Sequence, residues 1–219
     1  MSISTNPAPA RTDVPLASSP ATAEASAASA AATDRTVRRA GIMVAAGTLS
    51  WVTGLALVGN TPESSIGITI GDLSALPFQI GLFALVGAQL KTRATGVSKI
   101  ARGMLRVEYV LLTLATVWTV LHGAVPAFRD DLWLAILDAF WPLSMLGMAI
   151  IGVKVAITGR WRGPARGWPM VAESWAPVTV PVFVAVGGTV ALVVAIGHLL
   201  VGYLALGLIL AFRPELTRR

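Results

Sequence analysis

The sequence predicts an all-α protein, a polytopic bundle of six transmembrane helices preceded by a disordered N-terminal tail. Three observations predict this fold class. Hydrophobic residues make up 55% of the 219-residue chain, and charged residues make up only 13%. Several segments reach the roughly 20 apolar residues that a helix needs to cross a bilayer. Lysine and arginine are concentrated in alternate connections between those segments, as expected for helices that cross a membrane in turn.

The tail, residues 1–34, consists mainly of Ala, Ser, Thr and Pro. A segment with so few bulky apolar side chains cannot bury enough surface to offset the entropy that is lost on ordering. We therefore expect residues 1–34 to be disordered and residues 35–219 to form the transmembrane domain.

Six apolar segments follow the tail and define the predicted helices. They cover about residues 40–59, 66–90, 105–125, 132–157, 168–186 and 189–212. The last two are separated only by Gly187 and Gly188. The alternative is five spans, with "WPMVAESWAP" lying at the membrane interface. We expect six, because five spans would place the C-terminal arginines outside, against the charge distribution.

The basic residues orient these helices. One set flanks the first helix, the second and fourth connections and the C-terminus: Arg35, Arg38, Arg39, Lys91, Arg93, Lys99, Arg102, Arg106, Lys154, Arg160, Arg162, Arg166, Arg213, Arg218 and Arg219. The other connections hold Arg129 beside the acidic Glu63, Asp130 and Asp131. Because cytoplasmic connections carry the excess of Lys and Arg, we predict a multi-pass protein of the cell membrane with both termini in the cytoplasm. Spread over four membrane flanks, these residues indicate contact with the lipid bilayer and argue against a nucleic-acid partner.

Three ionisable residues lie towards the predicted cytoplasmic side: Glu108, Lys154 and Glu173. Ionisable groups inside a span are costly unless they have a partner. Lys154 can extend its ammonium group to the interface. We expect Glu108 or Glu173 to pair with Lys154 or with a loop arginine, in a structural role.

Four polar residues fall in the outer half of the predicted membrane region: Asp72, His122, Asp138 and His198. The short connection "PAFRDD" makes the third and fourth helices antiparallel neighbours. We therefore predict that Asp138 points into the bundle and pairs with His122. Two interpretations stay open, a polar contact between helices and the lining of a cavity.

Four prolines are predicted to kink helices: Pro77, Pro142, Pro177 and Pro181. A proline cannot donate a hydrogen bond to the carbonyl group four residues earlier, so Pro142 frees the main-chain carbonyl of Asp138. Such a group is tolerated in a membrane only where neighbours or water satisfy it.

Small residues spaced four apart predict close contacts between helices. Two such ridges are Ala46, Ser50 and Gly54 on the first helix, and Gly67, Gly71 and Ala75 on the second. Trp51, Trp118 and Trp141 lie deep in the spans, and we interpret them as packing residues rather than as a cofactor cage.

Several enzyme classes find no support in the sequence. It contains no glycine-rich phosphate loop before a lysine, no HExxH, no GxSxG and no dinucleotide fingerprint. Two histidines and no cysteine exclude three-histidine and thiolate metal sites. A haem held by His122 and His198 needs both at one depth, whereas their estimated depths differ by roughly 9 Å. We therefore predict no cofactor and no metal, and favour a protein that is not an enzyme.

The segment "WPLSMLGMAIIGVKVAITGRWRGPARGWP" resembles a type of small multi-span membrane protein that is common in actinobacteria. In that type a helix with the pattern "PLSMLGM" is followed by a basic turn and another helix. The resemblance implies a bacterial source and six spans with this turn in the cytoplasm. It implies no catalytic residue.

Two functions remain. The sequence favours a non-enzymatic component or accessory subunit of a bacterial membrane complex, which needs only packing surfaces and a correct topology. Its partners would be further copies in a homo-oligomer or the other subunits of the complex. The alternative is a small-solute or ion/proton transporter that uses the polar groups in the outer half of the bundle.

Overall fold

The computed structural model describes residues 20–218, and all regular structure in that part of the chain is helical. The predicted all-α fold class is confirmed. Residues 1–32 and 33–219 form separate compact units. In the first unit the described residues, 20–32, are helical. The second unit contains the helix bundle.

The helices follow one another with short connections. They are α1 (Pro20–Val58), α2 (Ser65–Thr92), α3 (Lys99–Ala124), α4 (Leu132–Asp138), α5 (Phe140–Thr158), α6 (Gly163–Glu173), α7 (Trp175–Ala185), α8 (Gly188–Leu199) and α9 (Ala205–Phe212). A π-helical turn, Leu200–Leu204, joins α8 to α9.

Five helical stretches are long and apolar enough to cross a membrane: Glu24–Val58, Ser65–Thr92, Lys99–Ala124, Leu132–Thr158 and Gly188–Phe212. The remaining predicted span, 168–186, is helical but broken into α6 and α7, which have 11 residues each. A helix of that length extends only about 16 Å, short of the roughly 30 Å of hydrocarbon. The bundle therefore has six helical segments, of which five are long and apolar enough to cross a membrane.

The predicted disordered tail has two parts in the structure. Residues 1–19 lie outside the described residues. Residues 20–34 belong to α1, whereas the sequence predicts disorder there. The stretch is rich in alanine, the residue with the highest intrinsic helix propensity, and this favours the helix although 24–29 are exposed.

Helix α1 packs against α2 through backbone contacts that only glycine permits. A Cβ atom added at Gly47 would lie 2.5 Å from the Cα atom of Phe78. The Ser50 hydroxyl donates to the Ser74 carbonyl at 2.9 Å. Ser50 and Gly54 belong to the predicted ridge, but Ala46 is exposed and Gly47 makes the contact in its place.

Helix α3 presents one buried stripe to its neighbours α2 and α5. Its members recur every three or four residues, which is the spacing of one helix face: Ala101, Leu105, Glu108, Leu112, Ala115 and Thr119. Two polar side chains are thus directed into the bundle by an otherwise apolar stripe.

Two helix breaks coincide with predicted proline effects. Helix α4 ends at Asp138 and α5 begins at Phe140, at the carbonyl that Pro142 cannot engage. The break at Ser174 lies three residues before Pro177. Pro77 lies inside α2 and Pro181 inside α7, and both helices continue through them.

Candidate functional site

A cavity of about 270 Å³ lies at the end of the bundle that carries the connection between α1 and α2. Its lining includes two carboxylates, Asp72 and Asp138, which the sequence placed in the same half of the bundle without showing that they meet. Six helices contribute to its wall, namely α1, α2, α3, α4, α5 and α7, so no single helix pattern could have identified it.

The first carboxylate is paired with a histidine. Nδ1 of His122 lies 2.6 Å from Oδ2 of Asp72, joining the end of α3 to the N-terminal part of α2. The imidazole also stacks on the Trp118 indole, with ring centroids 4.6 Å apart. The sequence paired His122 with Asp138, and the structure corrects the partner to Asp72. The antiparallel packing of α2 and α3 brings these two groups to one level.

An arginine ties the same helix ends together. Nε of Arg129 donates to the His122 carbonyl at 2.8 Å, and its Nη atoms donate to the Ser65 hydroxyl and to the Thr69 hydroxyl at 2.8 and 2.9 Å. Arg129 thus donates its hydrogen bonds to uncharged acceptors at the helix ends. It does not belong to the cavity lining.

The second carboxylate has a different environment. Asp138 is exposed, lines the cavity and lies within electrostatic range of His122 and Asp72. Among the described residues its carboxylate has no hydrogen-bond partner. The predicted direct bond between Asp138 and His122 is therefore wrong, and Asp138 is an exposed residue that lines the cavity near this histidine.

The lining also includes a hydrogen-bonded hydroxyl, that of Thr119. Thr119 donates to the Ala115 carbonyl and accepts from Nε2 of Gln79 at 2.7 Å and Nε1 of Trp141 at 2.9 Å. Sequence reasoning missed Gln79 and Thr119. A buried glutamine on an apolar span and the stripe on α3 were the signals that could have identified them.

Four tryptophans from four helices also line the cavity: Trp51, Trp118, Trp141 and Trp175. The centroid of Trp51 lies 5.8 Å from that of Trp141 and 5.2 Å from that of Trp175, with tilts of 45° and 50°. Trp51 and Trp141 contact each other as the packing interpretation expects, whereas Trp118 stacks on His122. The interpretation is incomplete because the same rings form the cavity wall.

A second polar cluster lies deeper in the bundle. The Ser144 hydroxyl donates to Oε1 of the buried Glu108 at 2.5 Å. The Tyr203 hydroxyl donates to Oε2 of Glu173 at 2.5 Å. The two glutamates lie within electrostatic range of each other. Lys154 is exposed and contacts neither of them, so the expected pairing is replaced by hydroxyl donors that reach the carboxyl groups from facing helices.

His198 lies beside the break between α6 and α7. Its Nε2 is 3.2 Å from the Ser174 hydroxyl, which itself donates to the Val171 carbonyl. Nδ1 of His198 is buried and has no hydrogen-bond partner among the described residues. His122 and His198 thus serve separate contacts, and among the described residues no group of three or more His, Asp or Glu side chains could hold a metal ion.

Comparison with known proteins adds no relative: no protein-family model, no curated protein and no solved structure matches this chain. The chemistry of the site therefore rests on the geometry of the bundle alone.

Proposed function

We propose that this chain is a multi-pass protein of a bacterial cell membrane, with both termini in the cytoplasm, that admits a small solute into the cavity from the outer side. The observation that carries the proposal is the cavity itself, which is lined by Asp72, the partner of His122, and by Asp138, whose carboxylate has no hydrogen-bond partner among the described residues. A carboxylate at membrane depth is costly, so an unpaired one that faces a cavity is evidence of a functional role.

The distribution of charge supports the orientation. Arg129 joins the connection after α3 to the start of α2, so the connections on the sparsely charged side meet at the cavity end. Other basic residues bond near the chain termini, with Arg38 on the Ala211 carbonyl and Arg162 on the Arg218 carbonyl. The excess of positive charge at that end favours the cytoplasm.

A second candidate is the accessory subunit of a larger membrane complex. An apolar groove of about 460 Å³ runs between α5 and α7, lined by Pro142, Leu146, Pro177 and Pro181 among others. Helices associate in lipid through close packing, and such a groove favours a neighbouring helix. This surface and the cavity share Trp141 and Trp175.

The test of the solute-binding function uses the absence of native cysteine. Gly71 lines the cavity, and a Cβ atom there would meet its nearest neighbour at 3.7 Å, so Gly71→Cys is a tolerated reporter. A small membrane-impermeant thiol reagent is applied to intact cells. We expect Gly71→Cys to react from outside, and the matched Lys99→Cys, at the first residue of α3, to react only after permeabilisation.

Failure of Gly71→Cys to react under both conditions would contradict a water-accessible cavity. Reaction of Lys99→Cys in intact cells would reverse the orientation instead.

A further inference from the structure

We propose that the cavity binds a small organic monocation, an alkylammonium or quaternary ammonium compound, between its indole rings and the Asp138 carboxylate. This rests on the solute-binding function proposed above and names its substrate class.

The aromatic wall is the first argument. Four indole rings surround one cavity, and a cation held over aromatic faces is attracted by the ring quadrupole, most strongly by tryptophan. The indole N–H groups of Trp141 and Trp175 already donate to the Thr119 hydroxyl and the Ala195 carbonyl. These two rings therefore offer a ligand apolar and π surface rather than donors.

The charge of the lining is the second argument. Asp72 and Asp138 belong to it, and no lysine or arginine does. Asp72 is already bonded to His122, and Arg129 donates to carbonyl and hydroxyl oxygens at the helix ends. Asp138 is left as the carboxylate that has no hydrogen-bond partner among the described residues, and a cationic ligand supplies one.

The scarcity of oxygen donors excludes a bare metal ion as the best occupant. Calcium takes six to eight oxygen ligands, and magnesium takes six in octahedral geometry. The Thr119 hydroxyl is already occupied by one donated and two accepted bonds. Asn60 is the only side-chain amide of the lining. An organic cation needs a single anionic partner and apolar contact, which this wall provides.

The volume limits the size of the ligand. The cavity, about 270 Å³, exceeds the roughly 150 Å³ that accommodates benzene in an engineered core. It is smaller than the pockets of about 300 Å³ and more that hold drug-sized ligands. A compact ammonium compound of a few heavy atoms fits between these limits.

The first measurement uses the unmodified chain in mild detergent. Choline chloride is titrated while tryptophan emission is recorded, in parallel with sodium chloride and with the neutral isostere in which a tert-butyl group replaces the trimethylammonium group. We expect a saturable change with choline, at least about tenfold tighter than with the isostere, and no saturable change with sodium chloride. Choline should also slow the alkylation of Gly71→Cys, and the isostere should not.

Variants then distinguish the contribution of the Asp138 carboxylate to choline binding from that of the indole rings. Asp138→Asn should weaken choline binding at least about tenfold, and Asp130→Asn, an exposed loop carboxylate, should leave it unchanged. Trp141→Phe and Trp141→Leu both lose the bond to Thr119, so their difference reports the aromatic face. We expect the leucine variant to bind about fivefold more weakly than the phenylalanine variant.

The outcomes distinguish the two proposals. If Gly71→Cys reacts from outside but choline binds no better than its isostere, the substrate class is wrong and the solute-binding function stands. If Gly71→Cys does not react, the solute-binding function fails and the substrate class fails with it. Choline binding that survives in Asp138→Asn would also overturn the assignment, and if that variant does not accumulate, the isostere comparison and the Trp141 pair decide.

Discussion

At the scale of single residues, the buried carboxyl groups of this bundle accept hydrogen bonds from hydroxyl groups on neighbouring helical segments. Glu108 is 1% exposed, and its partner is Ser144 on α5 rather than a cation. Glu173 on α6 is bonded in the same way by Tyr203 of the π-helical turn. A neutral donor across a helix interface avoids the desolvation of a second charge.

Replacement of Ser144 should show how much the hydrogen bond between Ser144 and Glu108 contributes to stability. Ser144→Ala removes the hydroxyl from a buried carboxyl group and should lower the free energy of unfolding by about 1–2 kcal/mol. Thr113→Ala is the matched control, because that exposed hydroxyl donates only to the Tyr109 carbonyl of its own helix, and its effect should stay within about 0.5 kcal/mol. Unfolding in mixed detergent micelles measures both. Equal losses would show that the contact with Glu108 contributes no stability.

At the scale of helices, glycine sets which pairs approach closely. Gly47 of α1 meets the backbone of α2 near Phe78, and Gly41 of α1 meets the backbone of α9 near Ala211. Such approach strengthens dispersion contacts that lipid tails do not provide. It also fixes the rotation of α1 about its axis, which places Trp51 in the cavity wall.

Substitution by alanine, which adds one methyl group, should therefore have different effects on stability at two of the glycines. Gly47→Ala forces α1 away from α2 and should destabilise the bundle by about 1–3 kcal/mol. Gly103→Ala, inside α3 with nothing within 4 Å of the added atom, should be neutral or stabilise by up to about 1 kcal/mol through helix propensity. Detergent-unfolding curves of the two variants provide the comparison. A stable Gly47→Ala variant would contradict the close approach of α1 and α2.

At the scale of the whole molecule, the buried core of the bundle begins at Val37. Asp34 forms an ion pair with Arg218 at 3.1 Å, which ties the start of the second unit to its C-terminal end. Residues 24–29 are exposed. The unit formed by residues 33–219 therefore contains the packing surfaces that the described part of the chain uses for its core.

Removal of residues 1–32 should leave membrane insertion intact, because the deleted part contributes no side chain to the buried core of the described residues. The measurement is the amount of protein in the membrane fraction and its melting temperature in detergent. Asp34→Ala in the full chain is the companion variant and should cost about 0.2–1 kcal/mol, as for an exposed ion pair. Loss of the truncated protein from the membrane would show that the first unit is needed for insertion.

The sequence by itself determined the all-α fold class, the apolar runs of the five long helices and the position of the break after Asp138, although it predicted six spans. These follow from local physics, since a span needs a continuous apolar run and a proline removes the hydrogen bond to the carbonyl four residues earlier. The sequence placed Asp72, His122 and Asp138 at one end of the bundle, but it chose the wrong partner for His122. Only the tertiary structure decided that His122 meets Asp72 and that four tryptophans surround one cavity. When a helix is apolar on every side, its sequence does not indicate which face turns towards the other helices. The rotation of each helix and the choice of its neighbours depend instead on close contacts in the folded bundle, such as that between Gly47 and Phe78.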